Sequence, residues 1–116
     1  MFRIKRIYET PGEDDGYRIL IDRLWPRGFT KERAKVDLWL KEIAPSTELR
    51  KWYHHNPERW NEFKSRYQTE LTDKRDLILQ IEHLEKVHGN ITLLFAAKEK
   101  EQSQAAVLLN LLNETS

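Results

Sequence analysis

The segment Ile91-Thr92-Leu93-Leu94-Phe95-Ala96-Ala97 has one polar member, Thr92, and so offers no face to water. Such a strand is stable only when both of its faces are covered, as interior strands of parallel α/β sheets are. A second apolar run, Tyr17-Arg18-Ile19-Leu20-Ile21, predicts another strand. Both runs end in charged segments, Asp22-Arg23-Leu24-Trp25-Pro26-Arg27-Gly28 and Lys98-Glu99-Lys100-Glu101. Open parallel sheets gather ligands beyond the carboxyl ends of their strands. Two such ends side by side would make one site.

Around these strands the periodicity changes. Phe2, Ile4, Ile7 and Tyr8 outline a first strand, and Glu9 to Gly16 reads as a turn with one Pro and two Gly. Thr30 is placed to cap a short helix through Lys35, after which Val36-Asp37-Leu38-Trp39-Leu40 alternates as a half-buried strand does. Ser46 caps a helix from about Thr47 to Tyr53. Asn56-Pro57-Glu58 is a strong helix start, and Trp60, Phe63, Tyr67 and Leu71 form its inward stripe. A further helix over about Asp73 to His88 turns Leu77, Ile78, Ile81 and Leu84 inward and stops at Gly89. The last, about Glu101 to Asn113, carries Ala105, Leu108, Leu109 and Leu112.

These elements predict an α/β fold: a small, mostly parallel or mixed central sheet of three to four strands with helices on both faces, in one domain over residues 1–116. The nine-residue connection Tyr8 to Gly16 is short for a crossover helix, which leaves open an antiparallel pairing of the first two strands. A chain of 116 residues buries roughly two-thirds of its unfolded surface, enough for a self-supporting core.

Composition narrows the function classes. The absence of cysteine excludes disulfides, thiolate nucleophiles and cysteine-held metals, and fits a reducing compartment. The opening residues lack the apolar stretch of a signal peptide, and no run is long enough to span a bilayer, so a cytoplasmic location without membrane contact is expected. Net charge is +1, which gives no global signature of nucleic-acid binding. Between Arg18 and Lys41, however, seven basic residues face three acidic ones. No glycine-rich loop or metal-ligand spacing is present, so neither a cofactor nor a metal is expected.

Assembled in order, Asp22-Arg23-Leu24-Trp25-Pro26-Arg27-Gly28, Trp39-Leu40-Lys41-Glu42-Ile43-Ala44-Pro45-Ser46, Leu49-Arg50-Lys51-Trp52, Pro57-Glu58-Arg59-Trp60 and Leu93-Leu94-Phe95-Ala96-Ala97-Lys98 resemble the domain-of-unknown-function 488 family, in its short YeaO-like branch. The resemblance spans nearly the whole chain and implies a compact bacterial α/β domain, with no activity attached. Members of that family commonly carry an Asn-His or Cys-His pair after the last strand. Ser103 and Gln104 stand there in this chain, so a mechanism resting on that imidazole is not supported.

Among chemistry-bearing residues, Arg23 and Arg27 present paired donors suited to phosphate or carboxylate. The alternative for Arg23 is an internal pairing with Asp22 or Glu42. Asp22 and His55 are the candidate proton carriers, Asp22 at a strand end and His55 before a Pro-started helix. Lys98 and Gln104 complete the candidate ligand-binding set with Trp25 as a packing wall, while Lys98 reads equally as a rim lysine. Trp39 and Trp60 are read as core. The predicted function is binding of a small anionic, phosphate-bearing ligand at the strand ends, with hydrolase or transferase chemistry if there is turnover. The alternative is a nucleic-acid-binding module that uses the segment Arg18 to Lys41 and exposed Trp.

Overall fold

The computed structural model describes residues 1–54 and 56–115, Thr115 by its backbone alone. Four strands, β1 (Phe2–Arg6), β2 (Tyr17–Leu20), β3 (Leu38–Trp39) and β4 (Ile91–Phe95), form one sheet in the order β1-β4-β2-β3. Every pairing is parallel. Leu93 lies opposite Ile4 on one side and Ile19 on the other, and all five residues of β4 are buried, as a run without a polar face requires.

The antiparallel alternative is thereby overturned, because β1 pairs with β4 and not with β2. The chain passes from β1 to β2 through residues 7–16 with only one short 3-10 turn, Glu13–Asp15. An extended run of that length reaches about 33 Å. A five-residue strand is about 17 Å long, so the return needs no helix.

Among the described residues there are five helices: α1 (Lys31–Ala34), α2 (Thr47–Tyr53), α3 (Trp60–Thr72), α4 (Arg75–His88) and α5 (Gln104–Thr115). Their starts obey local chemistry. Thr30 Oγ1 accepts from Arg33 N, and Ser46 Oγ accepts from Leu49 N, both at 3.1 Å. Asn56 opens a 3-10 turn, Pro57–Arg59, that leads into α3. The last helix begins at Gln104 and not near Glu101, because Ser103 Oγ takes the Ala106 N–H and sets the first turn there. The third strand is shorter than the alternation implies, and Trp39 is half-exposed at the sheet edge, which corrects its reading as core.

The two faces differ. Ile19, Ile21, Ile91, Leu93 and Phe95 look toward α2 to α5 and share one large core with Leu49, Phe63, Tyr67, Leu71, Ile78, Ile81 and Leu108. The opposite face carries Leu20 and Leu94 under Ile7, Ala34 and Val36, so short α1 and its flanking loops do the covering. That face also carries the buried Arg18, which pairs with Asp15 and donates to Ala34 O at 2.9 Å and Lys35 O at 3.0 Å. Thr92 Oγ1 donates to Asp15 O at 2.6 Å. Among the described residues no helix is long and apolar enough to cross a membrane.

Candidate functional site

After β2 the chain turns toward β3, and after β4 it turns the other way, toward α5 against β1 and β4. Neighbouring parallel strands whose connections diverge leave a crevice beyond their carboxyl ends. A pocket of about 330 Å³ lies there. That volume falls in the range of small-molecule sites.

The floor is built where the sheet ladder ends. Ile21 N still donates to Leu94 O at 3.0 Å, but the next N–H, that of Ala96, has run out of strand. Asp22 Oδ2 accepts it at 2.8 Å, in place of a backbone rung. Asp22 Oδ1 accepts from Gln104 Nε2 at 2.7 Å, which joins the floor to the first turn of α5. Burial drives the Asp22 carboxyl up to about 6, with the Ala96 N–H and the Arg50 charge offsetting only part of that rise. Arg6 steadies the backbone beyond β4 by donating from Nε to Ala97 O at 2.9 Å.

One wall is the entry to α2. Arg23 donates to Ala44 O at 3.2 Å and Pro45 O at 3.3 Å, while Lys74 Nζ donates to Ala44 O at 2.8 Å. Glu70 grips the next residue, accepting from Ser46 N at 2.8 Å and Ser46 Oγ at 2.6 Å. With its start held this way, α2 presents Arg50 and Tyr53, one helical turn apart, to the pocket. Leu24, Trp25 and Pro26 form the facing apolar wall, and Trp25 is held by a 2.7 Å bond from Nε1 to Phe29 O.

The predicted residues separate accordingly. Asp22, Trp25, Arg27 and Gln104 meet in the pocket. Arg23 lines it too, but its guanidinium is engaged with two carbonyls and lies 3.9 Å from Glu42, the internal pairing weighed from sequence. Lys98 is exposed and away from the lining, because β4 ends at Phe95 and the loop carries Lys98 off. His55 lies outside the described residues. Among the described residues no group of three or more His, Asp or Glu side chains is arranged to hold a metal ion.

Arg50, Tyr53, Phe63, Tyr8 and Gln102 were not foreseen in the lining. The signal for Arg50 and Tyr53 was available: a firm Ser46 cap sets the helix register, and i, i+3 spacing puts both on one face. Arg27 and Arg50 make no side-chain hydrogen bond or ion pair among the described residues. The pocket thus has apolar walls, two uncommitted guanidinium groups and a carboxylate at its base.

No solved structure matches the chain. The uncharacterized protein Rv3073c of Mycobacterium tuberculosis is 48% identical over 113 residues, 96% of this chain and 92% of that protein. The uncharacterized protein YeaO of Escherichia coli is 42% identical over 108 residues, 93% of each chain. The family profile described as the inactive DUF488-N3 subclade matches residues 1–116. With that match over its full length and these two relatives, the chain belongs to the DUF488 family, within its inactive N3 subclade.

Proposed function

We propose that this domain binds a small anionic ligand in the pocket beyond β2 and β4 and does not turn it over. The observation that carries the reading is the pair Arg27 and Arg50, two guanidinium groups that make no hydrogen bond or ion pair among the described residues, beside one apolar cavity. Guanidinium groups match phosphate or carboxylate oxygens two at a time. The walls of Trp25, Pro26, Pro45 and Phe63 suit an apolar or aromatic body attached to that anion.

Binding without turnover fits the side chains present. Ser103, the hydroxyl nearest the floor in sequence, is buried and occupied, donating to Lys100 O at 2.8 Å and accepting from Ala106 N. The description of the subclade as inactive points the same way. A nucleic-acid role has less support. Arg18 is buried against Asp15, Arg23 is committed to carbonyls, and the guanidinium groups of Arg59 and Arg66 already sit over the Trp52 ring at 5.1 and 4.5 Å.

The test is a backbone amide NMR titration with phenyl phosphate. Saturable shifts at Ala96, Ala97 and Arg50 are expected, weakened at least tenfold in a double Arg27→Ala, Arg50→Ala variant. Shifts confined to other surfaces, or none at millimolar concentration, would reject this pocket as an anion site.

A further inference from the structure

We propose that the pocket selects an amphoteric ligand, one with a hydrogen-bond-donating nitrogen group for the Asp22 and Gln104 floor and a phosphate or carboxylate for Arg27 and Arg50. The proposal rests on the anion-binding reading above and adds the chemistry of the ligand's other end.

The floor is built from acceptors. Each oxygen of Asp22 takes one internal hydrogen bond, Oδ2 from Ala96 N and Oδ1 from Gln104 Nε2. A carboxylate oxygen accommodates two donors, so one position on each oxygen is left over. Asp22 has no ion-pair partner among the described residues, and the cation that acts on it, Arg50, does so from a distance. A buried carboxylate whose charge is compensated only in part is costly and gains most from a charged or strongly polar donor.

Gln104 strengthens the bias. Its amide nitrogen must face the carboxylate, since two acceptors cannot bond each other, and so Oε1 is the free end of that side chain. Oε1 accepts no hydrogen bond among the described residues. Two acceptor-bearing side chains thus lie together at the base of a cavity that Arg27 and Arg50 line without a hydrogen bond or ion pair among the described residues. An anion placed at the floor would be repelled by Asp22. An amine, amidine or ring N–H placed there would complete its hydrogen bonding while leaving the anionic group to the arginines.

Gln104 cannot take up a proton at neutral pH, so it donates a neutral amide hydrogen bond to the carboxylate without supplying it a counter-charge.

The experiment compares phenyl phosphate with tyramine phosphate, which shares the aryl phosphate and adds an ammonium group. Both are titrated at pH 8 and pH 5 into the wild-type chain and an Asp22→Asn variant, with amide shifts as readout. At pH 8 the wild type is expected to bind tyramine phosphate at least tenfold more tightly than phenyl phosphate. That preference should shrink severalfold at pH 5 and vanish in Asp22→Asn. The pH comparison serves should the variant fold poorly. Equal affinity for the two probes at pH 8 would overturn the amphoteric proposal and leave the anion site standing; no saturable binding of either would overturn both.

Discussion

The carboxylate of Asp22 bonds the backbone N–H of Ala96 at 2.8 Å, so the second residue beyond β2 is clasped to the first beyond β4. This contact makes one site out of two strand ends. It also places an ionisable group where water is scarce, with consequences for stability.

The folded-state value of about 6 for Asp22 lies above its ordinary value of 3.8. Between those values the native state holds more protons than the unfolded chain, so this group's contribution to stability falls as pH rises from about 4 through about 6. Asp22→Asn removes that penalty. In urea unfolding the variant is expected to gain about 3 kcal/mol on the wild type between pH 4 and pH 8. A difference that is flat across this range would show that Asp22 ionises normally.

Asp15 behaves in the opposite sense. Burial pushes its carboxyl up, but the Gly12 N–H, Lys5 and Arg18 more than reverse this and hold it below the ordinary value. Asp15→Ala leaves the Arg18 guanidinium buried without its partner and is expected to destabilise by about 3–5 kcal/mol. A double Asp15→Ala, Arg18→Met variant should recover part of that loss. Denaturant unfolding of the single and double variants checks both statements, and a double variant worse than the single would contradict them.

Gly16 has φ +65°, and a Cβ there would meet Asn90 O at 2.3 Å, against a backbone that also accepts from Tyr17 N at 2.9 Å. Gly16→Ala is expected to cost about 2–4 kcal/mol through strain and displacement of the β2 start. Gly89, also at positive φ, has open space around the same atom. Gly89→Ala should therefore cost about 1–2 kcal/mol, from backbone conformation alone. Thermal unfolding of the two variants side by side tests the ranking.

Tyr67 is fully buried, and its hydroxyl donates to Ile43 O at 2.7 Å. Burial first, then the nearby charges of Glu70 and Asp22, raises its ionisation far above that of a free phenol. Tyr67→Phe strands the Ile43 carbonyl and is expected to cost about 1–3 kcal/mol. Spectrophotometric titration should show one tyrosine that ionises only as the protein unfolds in alkali.

The sheet was legible where composition leaves no choice. A run from Ile91 to Phe95 with Thr92 as its one polar member cannot lie at an edge, and Asp22, two residues past Leu20, falls beyond a strand end as the geometry of parallel sheets requires. The caps were equally local: Ser46 and Thr30 act on N–H groups three residues away. What escaped depends on the direction in which a loop leaves. Lys98 looked equivalent to Arg23, yet no local rule says that the chain leaves the crevice after Ala97 and returns to it only at Gln102. Trp39 was misjudged for a different reason. Strand alternation puts it opposite Leu38 and Leu40, so its size argued for burial while its position argued against it.

The last strand in sequence occupies an interior place in the sheet, with β1 on one side and β2 on the other. A nascent chain that has emerged only as far as residue 90 has its two flanking strands a strand's width apart, with no backbone partner between them. Its sheet can close only once residues 91–95 slot in, which ties the joining of β1 to β2 to a late moment in synthesis and makes the rate depend on long-range closure.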